Sequence, residues 1–163
     1  MGVASVRAQI AAYFAPPNVA GLSTVYRSRP KRIDPNDFDL SVGGGSGAVL
    51  VIHIPRGHET RLTMGPTNAA QKYDVHNIAM ELLFQSVKVD TMAAQDDHDA
   101  LIDALKVRFR ADRTLGSTNG APIWQAGQDP AGIDVELAEP ELGKQNFILN
   151  GVIRFEAWEI VVG

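Results

Sequence analysis

The sequence predicts an α+β fold: a mainly antiparallel sheet of four to five strands, two helices packed on one face, and long loops between the elements. Three observations predict it. Apolar residues recur at helical spacing in only two segments, residues 3–14 and 91–112. Apolar or alternating runs of strand length occupy residues 22–26, 48–54, 59–64, 72–88 and 145–162. Stretches rich in Gly, Pro, Asp and Asn, residues 27–47 and 116–143, separate them as surface loops expected to be mobile. With so few helices for that many strands, one sheet face is covered and the other is left to solvent or a partner. No internal repeat interrupts this order, and residues 1–163 read as a single domain.

Each element follows from its residues. Val3, Val6, Ile10 and Phe14 form one helical stripe, with Ala8, Ala11 and Ala12 as good helix formers between them and Pro16-Pro17 as the stop. Leu22–Tyr26 leans to strand. Ala48–Ile54 is a continuous apolar strand closed by Pro55-Arg56-Gly57, and Glu59–Met64 alternates, so the two predict a hairpin. A turn at Gly65-Pro66-Thr67-Asn68 leads to the strand Lys72–Lys88, whose phase change near Asn77 predicts a bulge. A helix from about Thr91 to Asp112 carries the stripe Leu101, Ile102, Leu105 and Phe109, with Gly116 as its terminator. Ile123-Trp124-Gln125 and Ile133–Leu137 can each add a short strand. The last strand, Gln145–Val162, sets Ile153, Phe155 and Ala157 against Arg154, Glu156 and Trp158, with a turn or bulge at Asn150-Gly151. Strands of this length reach roughly 50 Å if straight, more than one small core requires, which points to use by something outside the monomer.

Charge narrows the function classes. The net charge of −4 argues against a surface that tracks nucleic-acid phosphates, and the absence of Cys removes disulfides, zinc knuckles and thiol nucleophiles. No run of apolar residues is long enough for a membrane span, and Arg7 breaks the only signal-like segment, so a cytoplasmic protein is expected. The charge is also segregated. Residues 1–33 hold Arg7, Arg27, Arg29, Lys31 and Arg32 and no acid, whereas residues 129–163 hold Asp129, Asp134, Glu136, Glu139, Glu141, Glu156 and Glu159 against Lys144 and Arg154. Such a split suits copies meeting head to tail, or a monomer that cancels it internally.

Motifs for chemistry are incomplete. Gly43, Gly45 and Ala48 match a dinucleotide-loop spacing, yet a loop precedes them and a strand follows. Ser46 lacks the second glycine and the strand-to-helix elbow of a hydrolase nucleophile. His53 and His76 become neighbours if their strands pair, and His58-Glu59 begins a zincin-like motif that Leu62 fails to complete. Asp96-Asp97-His98-Asp99 reads as a charge set at a helix N-terminus, and Asp34, Asp37 and Asp39 lack the glutamate of a calcium loop. Arg27-Ser28-Arg29-Pro30-Lys31-Arg32 can touch phosphates or an acidic partner, but no aromatic follows Tyr26 to stack bases. The four histidines are therefore read as ordinary strand and turn residues, with no catalytic residue, metal or cofactor expected.

The layout resembles a known family. The short helix ending at Pro16-Pro17, the Arg/Pro-rich stretch before a strand, the long strand Tyr73–Lys88, the helix Asp97–Asp112 running into Arg113-Thr-Leu-Gly116, and the closing Phe155-Glu-Ala-Trp-Glu-Ile-Val161 look like the tail terminator proteins of long-tailed, siphovirus-type phages, particularly those of actinobacterial hosts. The resemblance covers nearly the whole chain in order of elements; that family is defined by layout and has no catalytic signature. It implies a virion structural protein, assembled in the host cytoplasm, that forms a hexameric ring at the head-proximal end of the tail. The ring caps the tube of major tail protein, ends its polymerisation and docks the neck or head-completion protein, while genome DNA passes through the lumen without specific binding. A neck protein of the same fold style, and a metal-assisted hydrolase using His53, His58 or His76, are the alternatives. The charge split nominates Arg27, Arg29, Lys31, Arg32, Asp129, Asp134 and Glu136 as interface residues.

Overall fold

A computed structural model describes residues 2–41, 44–61, 71–117, 123, 125–127, 132–142 and 146–162. In chain order these form α1 (Val3–Phe14), β1 (Leu22–Tyr26), a 3-10 turn (Pro35–Phe38), β2 (Ser46–Arg61), β3 (Gln71–Ser86), α2 (Thr91–Ala111), β4 (Gln125–Ala126), β5 (Asp134–Leu137), β6 (Glu141–Leu142) and β7 (Phe147–Val162). The fold is α+β, as the periodicities predict, but its sheet is mixed and has seven strands. Strand order is β1-β2-β3-β7, and the short β4, β5 and β6 share the outer side of β7. β1 runs parallel to β2, and the other pairs are antiparallel.

The long strands pair over their whole length. β3 and β7 match residue for residue from Gln71↔Val162 to Ser86↔Phe147 without a register shift. Alternation then sends Ile78, Met80, Leu82 and Phe84 of β3 and Leu149, Ile153 and Phe155 of β7 to one face, where they share a core with Val6, Ile10 and Phe14 of α1 and Leu101, Leu105 and Phe109 of α2. Phe109 sits between Phe14 and Phe155, with ring centroids 4.8 and 4.6 Å away. The two helices are tied together where Tyr13 Oη donates to the Arg108 carbonyl at 2.7 Å and the Arg108 guanidinium lies 4.0 Å above the Tyr13 ring.

Several local expectations change. Val3 is 43% exposed in the first turn of α1, and Tyr13 takes the buried position instead. The predicted hairpin at Pro55 does not form: β2 runs straight on to Arg61, with its irregularity between His53 and Arg56. Pro55 is tolerated there because β1 pairs only with Ala48–Val51, which leaves that side of β2 without a ladder partner among the described residues. The bulge thus belongs to β2 and not to β3 near Asn77. Half of the Glu59–Met64 run, residues 62–64, and the Gly65–Asn68 turn lie outside the described residues. Asn150-Gly151 is neither turn nor bulge: Gly151 pairs with Leu82, and a Cβ there would lie 2.9 Å from Leu137 Cδ2, so glycine allows β5 to approach. α2 has the expected extent, but its C-terminal cap is Asp112 rather than Gly116: the Asp112 carboxylate accepts from the Thr114 and Gly116 amides. Asp90 caps its other end through the Met92 amide, so Asp96–Asp99 lie beyond the first turn and do not complement its N-terminus.

Candidate functional site

Of the nominated basic residues, Arg29 reaches the sheet face away from the helices through Glu81, whereas Arg27 lies beside Ala4 and Arg7 of α1. Gly47 belongs to this face through its pairing with Gln85, as do Val49 and Val51 two and four residues on. Both valines are fully buried yet lie outside the helix-covered core. Their cover is the segment around the 3-10 turn. Ser23 Oγ donates to the Phe38 carbonyl at 2.5 Å, Thr24 Oγ1 to the Asp37 carbonyl at 2.8 Å, and Tyr26 Oη to Asp37 Oδ2 at 2.8 Å. That last bond raises the Tyr26 pKa, because the phenol's proton is held by a carboxylate. The Phe38 carbonyl oxygen is so near Gly47 that a Cβ there would lie 1.6 Å away; only glycine admits this seat.

From that cover the basic arm emerges at the β1 edge. Arg27, Arg29, Lys31 and Arg32 are all exposed, and Arg29 Nη1 reaches back to Glu81 Oε2 at 3.7 Å, where His53 Nε2 also contacts the same oxygen at 3.3 Å. The nominated acids occupy the other edge. Asp134 and Glu136 are exposed on β5, Glu136 pairs with Arg154, and two further acids, Glu139 between the strands and Glu141 on β6, are exposed beside them. No ion pair engages Asp134, Glu139 or Glu141 among the described residues. Asp129 lies outside them. Basic and acidic groups thus stand four strand spacings apart along one sheet, on the order of 20 Å. A groove of about 300 Å³ is lined by Pro55, Ala79 and Trp158 together with the polar Asn77, Gln125, Asp134, Arg154 and Glu156, so the nominated Asp134 is part of it.

The histidines separate. His53 pairs with Ala79 and His76 with Gly57, which puts them on opposite sheet faces, so the expected neighbourhood does not form. His58 is exposed on β2. His98 is fully buried edge-on to Phe84, 5.3 Å between ring centroids, and burial lowers its pKa against the opposing pull of Asp99. Ser46 is also structural: its hydroxyl donates to Asp97 Oδ2 at 2.6 Å and shares a 2.8 Å hydrogen bond with Ser86. Burial raises the Asp97 pKa, but the hydrogen bonds from Lys88 and Ser46 and the lysine charge outweigh it and hold the carboxyl below its ordinary value. Of the loop motif, Gly43 lies outside the described residues, while Gly45 and Ala48 flank this tie.

One cluster has no counterpart in the sequence reading. On the helix-side face at the far end of the strands, His76 Nε2 lies 3.3 Å from Glu159 Oε2 and 3.7 Å from Asp74 Oδ2, with His76 1% and Glu159 2% exposed. The i, i+2 spacing of Asp74 and His76 was the available signal, but Glu159 joins only through the β3–β7 register. No protein-family profile matches the chain, and no curated protein sequence matches it either.

Proposed function

We propose that this chain is a ring-forming virion structural protein, a tail terminator of long-tailed phages, whose copies close head to tail into a hexamer. The observation that supports it best is that opposite charges attach to opposite edges of one sheet: Arg27, Arg29, Lys31 and Arg32 follow β1 in the chain, and Asp134 of β5, Glu139 after it and Glu141 of β6 lie at the other edge. A heterologous interface needs two different, complementary patches pointing away from each other, and this is the simplest arrangement that supplies them. The element order that resembles the family adds to the reading. In such a ring one rim matches the end of the tube of major tail protein, the other offers no seat for a further tube subunit, and the neck docks on it.

The test is oligomeric state followed by function. Native mass spectrometry and negative-stain images of the purified protein, alone and mixed with tail tubes, are expected to show closed rings seated on tube ends. Monomers at every concentration, together with failure to cap tubes, would overturn the reading; rings that copurify with heads and never with headless tails would reassign the protein to the neck. A charge swap sharpens it: Arg29→Glu, Lys31→Glu and Arg32→Glu together abolish rings, and adding Asp134→Lys, Glu139→Lys and Glu141→Lys restores them.

A further inference from the structure

Three carboxylates stand in register across three strands on the helix-side face: Glu59 of β2 opposite Asp74 of β3, and Asp74 opposite Glu159 of β7. Like charges directly opposite in an antiparallel ladder repel, so each must be compensated. Lys72 answers Glu59, with Nζ 3.1 Å from its Oε1. Around the other two acids the next row is Gly57, His76 and Ala157. His76 therefore stands between two carboxylates. Its other ring atom, Nδ1, is buried without a hydrogen-bond partner among the described residues, so the polar contacts that orient the ring all lie on the Nε2 side.

We propose that Asp74, His76 and Glu159 bind a divalent transition-metal ion, Zn²⁺ first among them. One donor atom from each residue lies within 4.8 Å of the others. Metal–nitrogen and metal–oxygen bonds of about 2.1 Å at a tetrahedral angle put ligand atoms about 3.4 Å apart, and His76 Nε2 sits 3.3 and 3.7 Å from the two carboxylate oxygens. One imidazole and two carboxylates suit Zn²⁺, Mn²⁺ or Co²⁺. Asp74 leaves the entry path, its side chain being 32% exposed where His76 and Glu159 are sealed. Water would hold the fourth position. Because the ligands come from β3 and β7, the ion would pin the far ends of two of the three long strands.

Chelator-dialysed protein titrated with Zn²⁺ by calorimetry is expected to take one ion per chain, and thermal melting to shift upward with Zn²⁺ and back with chelator. Asp74→Asn, at a half-exposed position that the fold tolerates, should weaken binding more than roughly 100-fold, since even groups that only orient a metal ligand cost 10- to 100-fold when removed. His53→Gln, on the opposite face, should leave it unchanged. Loading with Co²⁺ should give the visible absorption of a four-coordinate site in the native protein and none in His76→Gln, with circular dichroism showing that variant folded. Absence of Zn²⁺ uptake, or native affinity in Asp74→Asn, would overturn the proposal and leave the cluster as a structural contact of one imidazole with two acids.

Discussion

The two faces of the sheet are made by alternate residues of the same three long strands, yet they are closed by different physics. Under the helices, Leu50, Ile52, Met80 and Leu82 meet Ile10, Phe14, Leu105 and Phe109, and cohesion comes from apolar burial spread over many side chains. On the other face Val49 and Val51 are equally buried, but their cover is a short polar segment held by hydrogen bonds from Ser23, Thr24 and Tyr26 and seated on one glycine. The first kind of closure degrades gradually as side chains are trimmed; the second depends on a few atoms being in place. That contrast assigns roles: the helix face holds the domain together, and the opposite face can carry a polar contact such as Arg29 to Glu81 without putting the core at risk.

The largest effect should come from the helix face. Phe109→Ala removes a ring packed between Phe14 and Phe155 and is expected to cost about 3–5 kcal/mol in urea unfolding. A loss under about 1 kcal/mol would mean that the apolar closure is not centred there. Gly47→Ala attacks the other face by forcing a methyl group onto the Phe38 carbonyl, at an overpacking cost of about 1–3 kcal/mol. Its signature is faster tryptic cleavage at Arg27–Arg32 while the core still unfolds cooperatively; an unchanged cleavage rate would show that the cover is not seated by that contact.

Smaller still is a pH effect inside the helix face. Because burial lowers the His98 pKa in the folded protein, the unfolded chain takes up a proton below the ordinary value of 6.5 that the folded one refuses. Stability is therefore full above that pH and declines as pH falls from there toward the depressed folded value. In His98→Gln that part of the slope should vanish from a plot of melting temperature against pH, whatever the absolute change; a slope identical to the native protein's would remove His98 as its source. The smallest stability effect belongs to Arg29→Glu, Lys31→Glu and Arg32→Glu, exposed groups whose reversal should leave the melting temperature unchanged while preventing rings. Normal tail-length control by that triple variant would break the link between the basic arm and assembly.

How much was legible follows from what each signal measures. The stripe Leu101, Ile102, Leu105 and Phe109 reported α2's buried face correctly because helical periodicity is a local property, and the alternation in residues 147–162 did the same for β7. Pro55 misled because proline stops a strand only where a ladder partner needs its amide, and β1's shortness removes that need. Asp96–Asp99 misled because Asp90, six residues earlier, was already the cap. The basic and acidic runs were visible in the sequence, but their placement on opposite edges was not, since strand order has no local signature.

From the sequence alone came the fold class, the in-or-out orientation of most strand residues and the charge split, all consequences of composition and short-range period. Only the tertiary structure decided that β1 lies parallel to β2, that the acids and bases end on opposite edges, and that Asp74 faces Glu159 beside His76. The physical reason is that side chains alternate with a period of two: sliding β3 along β7 by two residues would leave every apolar group on its proper face and still separate those acids, so periodicity constrains faces and leaves pairing to the packing of the whole domain.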